Sequence, residues 1–337
     1  DSDAGVRRAA ATALTEPQAL ARVAREDRDP RVRAEAVGRL ADQNVLARAA
    51  CEDPAPEVRR SAAGRVTEQP PLARVALEAP DAELRSAAVN ALTDEKALAR
   101  AAREDKTPEV RVAAVGRLAD PAALALVARE DAAPEVRAAA VVRISDSDTL
   151  VRVAAEDRAP EVARAALGRL ADPAALARVA CEGRHVEVRL DAVKRVSDQS
   201  ALASVAADAK DWGTRKAAFG RLDAERLAAL AQRAQDPAAA LAARVAAGQE
   251  SWDTVFAPDN LARRGLGTVL GAVALVESSR PGNAAVVAAC HAFIRQGDTT
   301  RIPELRDLLL RFGDKTLAED FLNCGQAQLQ EAGAEWA

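Results

Sequence analysis

Histidine and cysteine carry the most recognisable chemistry, and both are scarce in this sequence. The 337-residue chain holds two histidines, His185 and His291, and four cysteines, Cys51, Cys181, Cys290 and Cys324. A metal centre needs several nitrogen or sulfur ligands brought together, and neither histidine has a Cys or His partner at helical spacing. No metal ligand and no cofactor is assigned. Cys290 and His291 are adjacent, but neighbours on a helix point about 100° apart. That suits a buried thiol beside a surface imidazole better than a nucleophile with its base. The recurrent carboxylates Glu57, Glu109, Glu135 and Glu161 read as a solvated face rather than as acid–base pairs. With no phosphate-binding glycine loop or dinucleotide fingerprint either, no catalytic residue is assigned and a non-enzymatic protein is expected.

Arginine is the exception, because it recurs in columns. One column is Arg7, Arg33, Arg59, Arg85, Arg111, Arg137, Arg189 and Arg215; a second is Arg39, Arg65, Arg117, Arg143, Arg169, Arg195 and Arg221. A guanidinium fork matches carboxylate or phosphate, so either column could grip an anion. Alternatively, the second column pairs with the acids three residues on, such as Asp42, Glu68, Asp120 and Asp146. Both readings stay open at this point.

The elements that would position these columns come from a repeat. Pro-Glu-Val-Arg begins at Pro56, Pro108 and Pro134, a variant at Pro160, and looser versions at Ala4, Pro30, Ala82, Val186 and Trp212. Every step is 26 residues across nine copies, the signature of a repeat array. Each unit reads as two helices. Asp120-Pro121 and Asp172-Pro173 mark starts of the first, an N-cap acid followed by proline at N1. The Pro-Glu-Val-Arg proline opens the second, where Val32, Ala36 and Leu40, or Val110, Ala114 and Leu118, form one apolar stripe. Gly38, Gly64, Gly116, Gly168 and Gly220 recur near the end of the second helix; their cost of about 0.5–1 kcal/mol against alanine predicts a close approach there, by a neighbouring helix in preference to a partner.

Short antiparallel helix pairs with an Asp and, six residues later, an Arg resemble HEAT repeats, nearest the short bacterial and leucine-rich-repeat-variant arrays. The Asp–Arg pairs are Asp1 with Arg7, Asp27 with Arg33, Asp53 with Arg59, Asp105 with Arg111 and Asp131 with Arg137. The resemblance covers residues 1–222 and implies an all-α fold: a right-handed α-solenoid of 26-residue hairpins with an Asp–Arg ladder between them. It also implies that the second helices line the concave surface, which would set the second arginine column there. Ala79, Ala163, Gly183 and Ala209 interrupt the ladder, so rungs are expected to be missing. The unit is shorter than a usual HEAT unit, so the first helix is expected to be barely two turns.

After Leu222 the leucines leave the 26-residue grid. Residues 223–260 read as a transition helix and a connection, and 261–337 as a larger helical cap, with helices over roughly 261–279, 283–296, 302–312 and 315–333. Solenoids need such a cap to cover the last apolar face, and the region after Leu222 holds four of the five phenylalanines and two of the three tryptophans.

Net charge is −4, the acidic excess lying from Asp298 onward, so no general basic grip on nucleic acid or anionic lipid is expected. The longest apolar run, 265–276, is too short to span a bilayer. Scattered cysteines suit a reducing, cytoplasmic setting; a chain that opens at Asp1 inside the repeat pattern reads as cut. The expected function is an interaction scaffold whose concave face binds a protein or peptide, with acidic features matching the second arginine column. The alternative is a nucleic-acid-binding relative of the HEAT-like DNA glycosylases, which would need a basic groove and aromatic contacts; only Trp212 and Phe219 are aromatic before residue 222. A bilin-lyase-like accessory enzyme finds no supporting residue.

Overall fold

The computed structural model describes residues 2–276, 306, 315–323, 325 and 327–336, and every regular element among them is helical. The chain divides into two compact units, Asp1–Arg169 and Leu170–Ala337. In the first unit, α1 (Ala4–Ala13) is followed by hairpin partners α2 (Pro17–Glu26) and α3 (Pro30–Val37), α4 (Gln43–Glu52) and α5 (Pro56–Ala63), α6 (Gln69–Glu78) and α7 (Ala82–Ala91). The series continues with α8 (Glu95–Glu104) and α9 (Pro108–Arg117), α10 (Pro121–Glu130) and α11 (Pro134–Arg143), α12 (Ser147–Glu156) and α13 (Pro160–Arg169). The second unit repeats the scheme in α14 (Pro173–Glu182) and α15 (Val186–Arg195), α16 (Gln199–Asp208) and α17 (Trp212–Phe219), α18 (Ala224–Arg233) and α19 (Pro237–Ala246). Each unit is thus an α-solenoid of short hairpins.

Local chemistry sets each boundary. Asp42 accepts hydrogen bonds from the Asn44 and Val45 amides at 2.9 and 3.1 Å, and Asp94, Asp120, Asp172 and Asp198 cap their first helices in the same way. Proline at N1 of α3, α5, α9 and α11 loses no bond, because that amide has no partner inside the helix. First helices such as α2 and α10 run for 10 residues of α-helix, nearly three turns at 3.6 residues each. The expectation of barely two turns is corrected: tight, cap-defined loops leave most of the 26 residues to helix.

The apolar stripe is the core. Val32, Ala36 and Leu40 are buried, as are Val110, Ala114 and Leu118, and each buried leucine contributes about 1.5–3 kcal/mol. In the first unit, successive second helices α7, α9, α11 and α13 pack closely while the first helices α8, α10 and α12 stand further apart. Between the α4–α5 and α6–α7 hairpins the order inverts, and the first helices α4 and α6 make the closer contact.

The recurrent glycines do not mark a close helix–helix approach. A Cβ at Gly116 or Gly168 would meet nothing within 4 Å, and at Gly64 or Gly220 it would meet only backbone oxygens of its own last turn at 3.5 Å or more. The positions are exposed, and Val142 and Lys194 occupy them in other hairpins.

The hairpin scheme also outlasts the 26-residue grid. Capped by Asp223 and by Asp236-Pro237, α18 and α19 pack on each other as the earlier pairs do. Gln199 and Ala224 open successive first helices, a step one residue short, which is why the leucines leave the grid. Within 249–264, expected as a connection and the start of one long helix, stand α20 (Trp252–Val255) and α21 (Pro258–Arg264), followed by α22 (Leu266–Leu275). Gly265, at φ 77°, separates α21 from α22. Helix α22 packs on α19 and α17, burying Val269, Ala272 and Val273. It comes so close that a Cβ at Gly271 would lie 2.9 Å from the Ala238 Cβ. Further on, α23 (Lys315–Asn323) and α24 (Ala327–Trp336) form an antiparallel pair; the helices expected over 283–296 and 302–312 fall outside the described residues, apart from Arg306.

Candidate functional site

Three arginine columns emerge, and they do different work. In the first, Arg33 donates from Nε and Nη2 to Oδ2 and Oδ1 of Asp53, both at 2.8 Å, while Nη1 donates to the Asp27 carbonyl at 2.8 Å. The carboxylate partner is thus the aspartate 20 residues ahead in the next hairpin. The aspartate six residues behind contributes only its backbone oxygen. Arg7–Asp27, Arg85–Asp105, Arg111–Asp131 and Arg137–Asp157 repeat the arrangement. Each ladder aspartate also accepts the amide two residues on, as Asp131 does from Ala133 at 2.8 Å. Burial pushes the Asp131 carboxyl up, but Arg111, the Ala133 amide and the nearby charge of Arg137 together hold it below the usual carboxylate range.

The gaps at Ala79 and Ala209 are filled from two residues along the chain. Arg59 takes Asp81 at 2.6 Å and Arg189 takes Asp211 at 2.8 Å, so those rungs are displaced rather than missing. The Arg59–Asp81 step is also the one where the first helices α4 and α6 draw together. Asp105, by contrast, lies on the regular grid and meets Arg85 at 2.6 Å. Ala163 and Gly183 stay without ladder side chains, although Gly183 still offers its carbonyl to Arg189 Nη1 at 2.6 Å.

A column on the first helices neutralises itself. Arg22, Arg48, Arg74 and Arg100 each pair with a glutamate four residues on: Glu26, Glu52, Glu78 and Glu104. From α2 to α16 every first helix ends in an acid, at residues 26, 52, 78, 104, 130, 156, 182 and 208.

The second sequence-predicted column does not pair with the acids three residues on; it bonds to main-chain carbonyls. Arg65 donates to the Leu40 carbonyl at 2.9 Å, Arg117 to Leu92 at 3.3 Å, Arg143 to Leu118 at 3.1 Å and Arg169 to Ile144 at 2.9 Å. Arg39 reaches Leu14 at 3.4 Å, Arg195 binds the Leu170 carbonyl and Arg221 that of Val193. Each side chain therefore reaches carbonyls at the end of the preceding second helix, which lack intrahelical donors and form the negative end of the helix dipole. Three of the acids three residues on are occupied otherwise: Asp42 and Asp120 are N-caps, and Asp146 accepts from Thr149; the Glu68 side chain makes no cap bond. Within the first unit Arg39, Arg65, Arg117, Arg143 and Arg169 are exposed and make no ion pair among the described residues. A neutral carbonyl orients a guanidinium without cancelling its charge.

One element escaped sequence reading. Gln43 accepts from the Thr67 amide at 2.7 Å and donates to the Arg65 carbonyl at 3.3 Å; Gln69 with Thr93 and Ala91, and Gln199 with Asp223 and Arg221, repeat this clamp. The signal was a glutamine at N1, visible only once N1 is located.

Cys51 and Cys181 are half-buried free thiols whose pKa burial pushes up to about 11. His185 is the N-cap residue of α15, without a side-chain cap bond; His291, Cys290 and Cys324 lie outside the described residues. Among the described residues no three His, Cys, Asp or Glu side chains gather closely enough to hold a metal ion, and no helix is long and apolar enough to cross a membrane.

The class this defines is an α-solenoid repeat protein presenting a row of arginines at the ends of its second helices, interrupted at Ala91 of α7. No family model matches the chain, and no curated protein matches it significantly.

Proposed function

We propose that the protein is a non-enzymatic interaction scaffold of HEAT-like build, whose second-helix row binds an acidic segment of a protein or peptide. The carrying observation is the contrast between columns. First-helix arginines meet their own glutamates, whereas Arg117, Arg143 and Arg169 are exposed, backbone-anchored and free of carboxylates. The row lies on the tighter-packed side of its stack, and the inter-hairpin Asp–Arg ladder supports the HEAT-like kinship. Neighbouring helices lie about 8–10 Å apart, and three residues of polyproline II chain advance about 9 Å and return to the same face. A peptide in that conformation with an acid at every third residue therefore matches the row.

The nucleic-acid alternative has less support, because single strands are held largely by aromatic stacking and residues 1–211 hold no aromatic side chain.

The test is fluorescence anisotropy with a labelled peptide carrying glutamate at every third residue, against wild type and Arg117→Gln/Arg143→Gln/Arg169→Gln. Binding that weakens with salt and falls at least about tenfold in the variant supports the reading. Equal binding by both proteins, each showing the same helical circular dichroism, defeats it.

A further inference from the structure

A cleft of about 640 Å³ opens between α16 and α18 in the second unit. Its walls include Ser200, Ser204 and Asp208 on one side and Arg226 and Arg233 on the other. That volume falls within the range of small-molecule sites.

The cleft departs from the repeat in charge. First helices from α2 to α16 end in an acid, but α18 ends in Arg233. Three residues into α18 stands Arg226, where α14 and α16 carry Ala175 and Ala201. Across the cleft, Ser204 takes the place that Arg48, Arg74 and Arg100 hold on α4, α6 and α8. An internal ion pair has thus been replaced by a hydroxyl, which donates to the Ser200 carbonyl at 3.2 Å, on a cleft shared with two added guanidinium groups.

Neither added arginine is spent on the fold. Arg226 is half-buried and Arg233 exposed, and the side chain of neither has a hydrogen-bond or ion-pair partner. Arg215, also on the cleft wall, is committed: it meets Asp236 at 2.6 Å and donates to the Ala206 and Ala207 carbonyls. No unpartnered nitrogen of Arg226 is buried, so the donors of both arginines face solvent and are available to an anion.

We infer that this cleft binds a small phosphorylated polyol, its phosphate oxygens taken by Arg226 and Arg233 and its hydroxyls by Asp208 and the two serines. Guanidinium forks and hydroxyl donors suit a tetrahedral oxyanion. A carboxylate such as Asp208 repels phosphate but accepts a bond from a sugar hydroxyl. Its place on the cleft wall therefore favours a sugar phosphate over inorganic phosphate or a polycarboxylate. The site is separate from the arginine row of the first unit and stands without it.

Isothermal titration of the full chain with fructose 1,6-bisphosphate tests the inference, with inorganic phosphate and citrate as comparison probes. Saturable binding of the bisphosphate at millimolar concentration or tighter, stronger than that of either comparison probe, is expected. Arg226→Gln and Arg233→Gln should each weaken it about tenfold or more, and Arg117→Gln/Arg143→Gln/Arg169→Gln should leave it unchanged. Arg233→Glu restores the acid that the other first helices carry, so it should keep the wild-type melting temperature while abolishing binding. No bisphosphate binding by wild type, preference for phosphate or citrate, or undiminished binding by Arg233→Glu would each overturn the inference.

Discussion

Arg137 grips Asp157 of the following hairpin with two parallel bonds, Nε to Oδ2 and Nη2 to Oδ1, both 2.7 Å, and only 2% of the arginine reaches solvent. A third donor, Nη1, holds the Asp131 carbonyl at 2.9 Å. One side chain thereby joins two loops. Removing one partner of a buried pair strands the other charge, at a cost of about 3–5 kcal/mol. Asp157→Ala should destabilise the first unit by that amount in urea denaturation followed by far-ultraviolet circular dichroism. A loss under about 1 kcal/mol would show that the rung contributes little.

Acid should release the same ladder. Asp27, Asp81, Asp105 and Asp131 all titrate below their ordinary range in the folded chain. Asp27 and Asp81 are lowered first by hydrogen bonds from arginine; for Asp105 and Asp131, burial opposes and is outweighed. A depressed carboxylate pKa adds stability that is complete above the unfolded value, about 3.9, and is lost as pH falls through the folded value. Stability should hold from pH 7 to about 5 and decline below about 4. Arg111→Gln should make that decline shallower in acid titrations followed by circular dichroism.

Gly116 and Gly168 sit in helices with open space where a Cβ would stand. Alanine at each should raise stability by about 0.5–1 kcal/mol, read as an upward shift in thermal midpoint. A fall in midpoint would show that a neighbour needs the gap.

Burial makes Cys51 and Cys181 poor nucleophiles, each pushed up to about 11. The thiolate is the reactive form, so iodoacetamide at pH 8 should label both far more slowly in native than in urea-unfolded protein. Site-resolved mass spectrometry separates them from Cys290 and Cys324. Rapid native labelling of either would contradict its burial.

The hairpins were legible from periodicity, because proline, aspartate and the Val–Ala–Leu stripe each state a local requirement at a fixed spacing. Pairings were less so. Asp27 and Arg33 stand out as neighbours in sequence, yet Arg33 spends its carboxylate-matching fork on Asp53, since facing loops belong to successive hairpins. Asp81 and Asp211 lie off the grid, so their rungs read as gaps. The acceptors of Arg65 and Arg143 are main-chain carbonyls, which no side-chain pattern displays. Arg233 was hidden by the 25-residue step, which moves it off the column where its charge is out of place.

The aromatic residues are placed with a consequence for observing the molecule. Trp212, Trp252 and Trp336 all belong to the second unit, where the Trp252 and Phe256 ring centres lie 6.1 Å apart, and the first unit has neither tryptophan nor tyrosine. Intrinsic fluorescence is therefore a label built into one unit alone. A ligand or denaturant acting only on residues 1–169 changes the circular dichroism and leaves the emission dark to it.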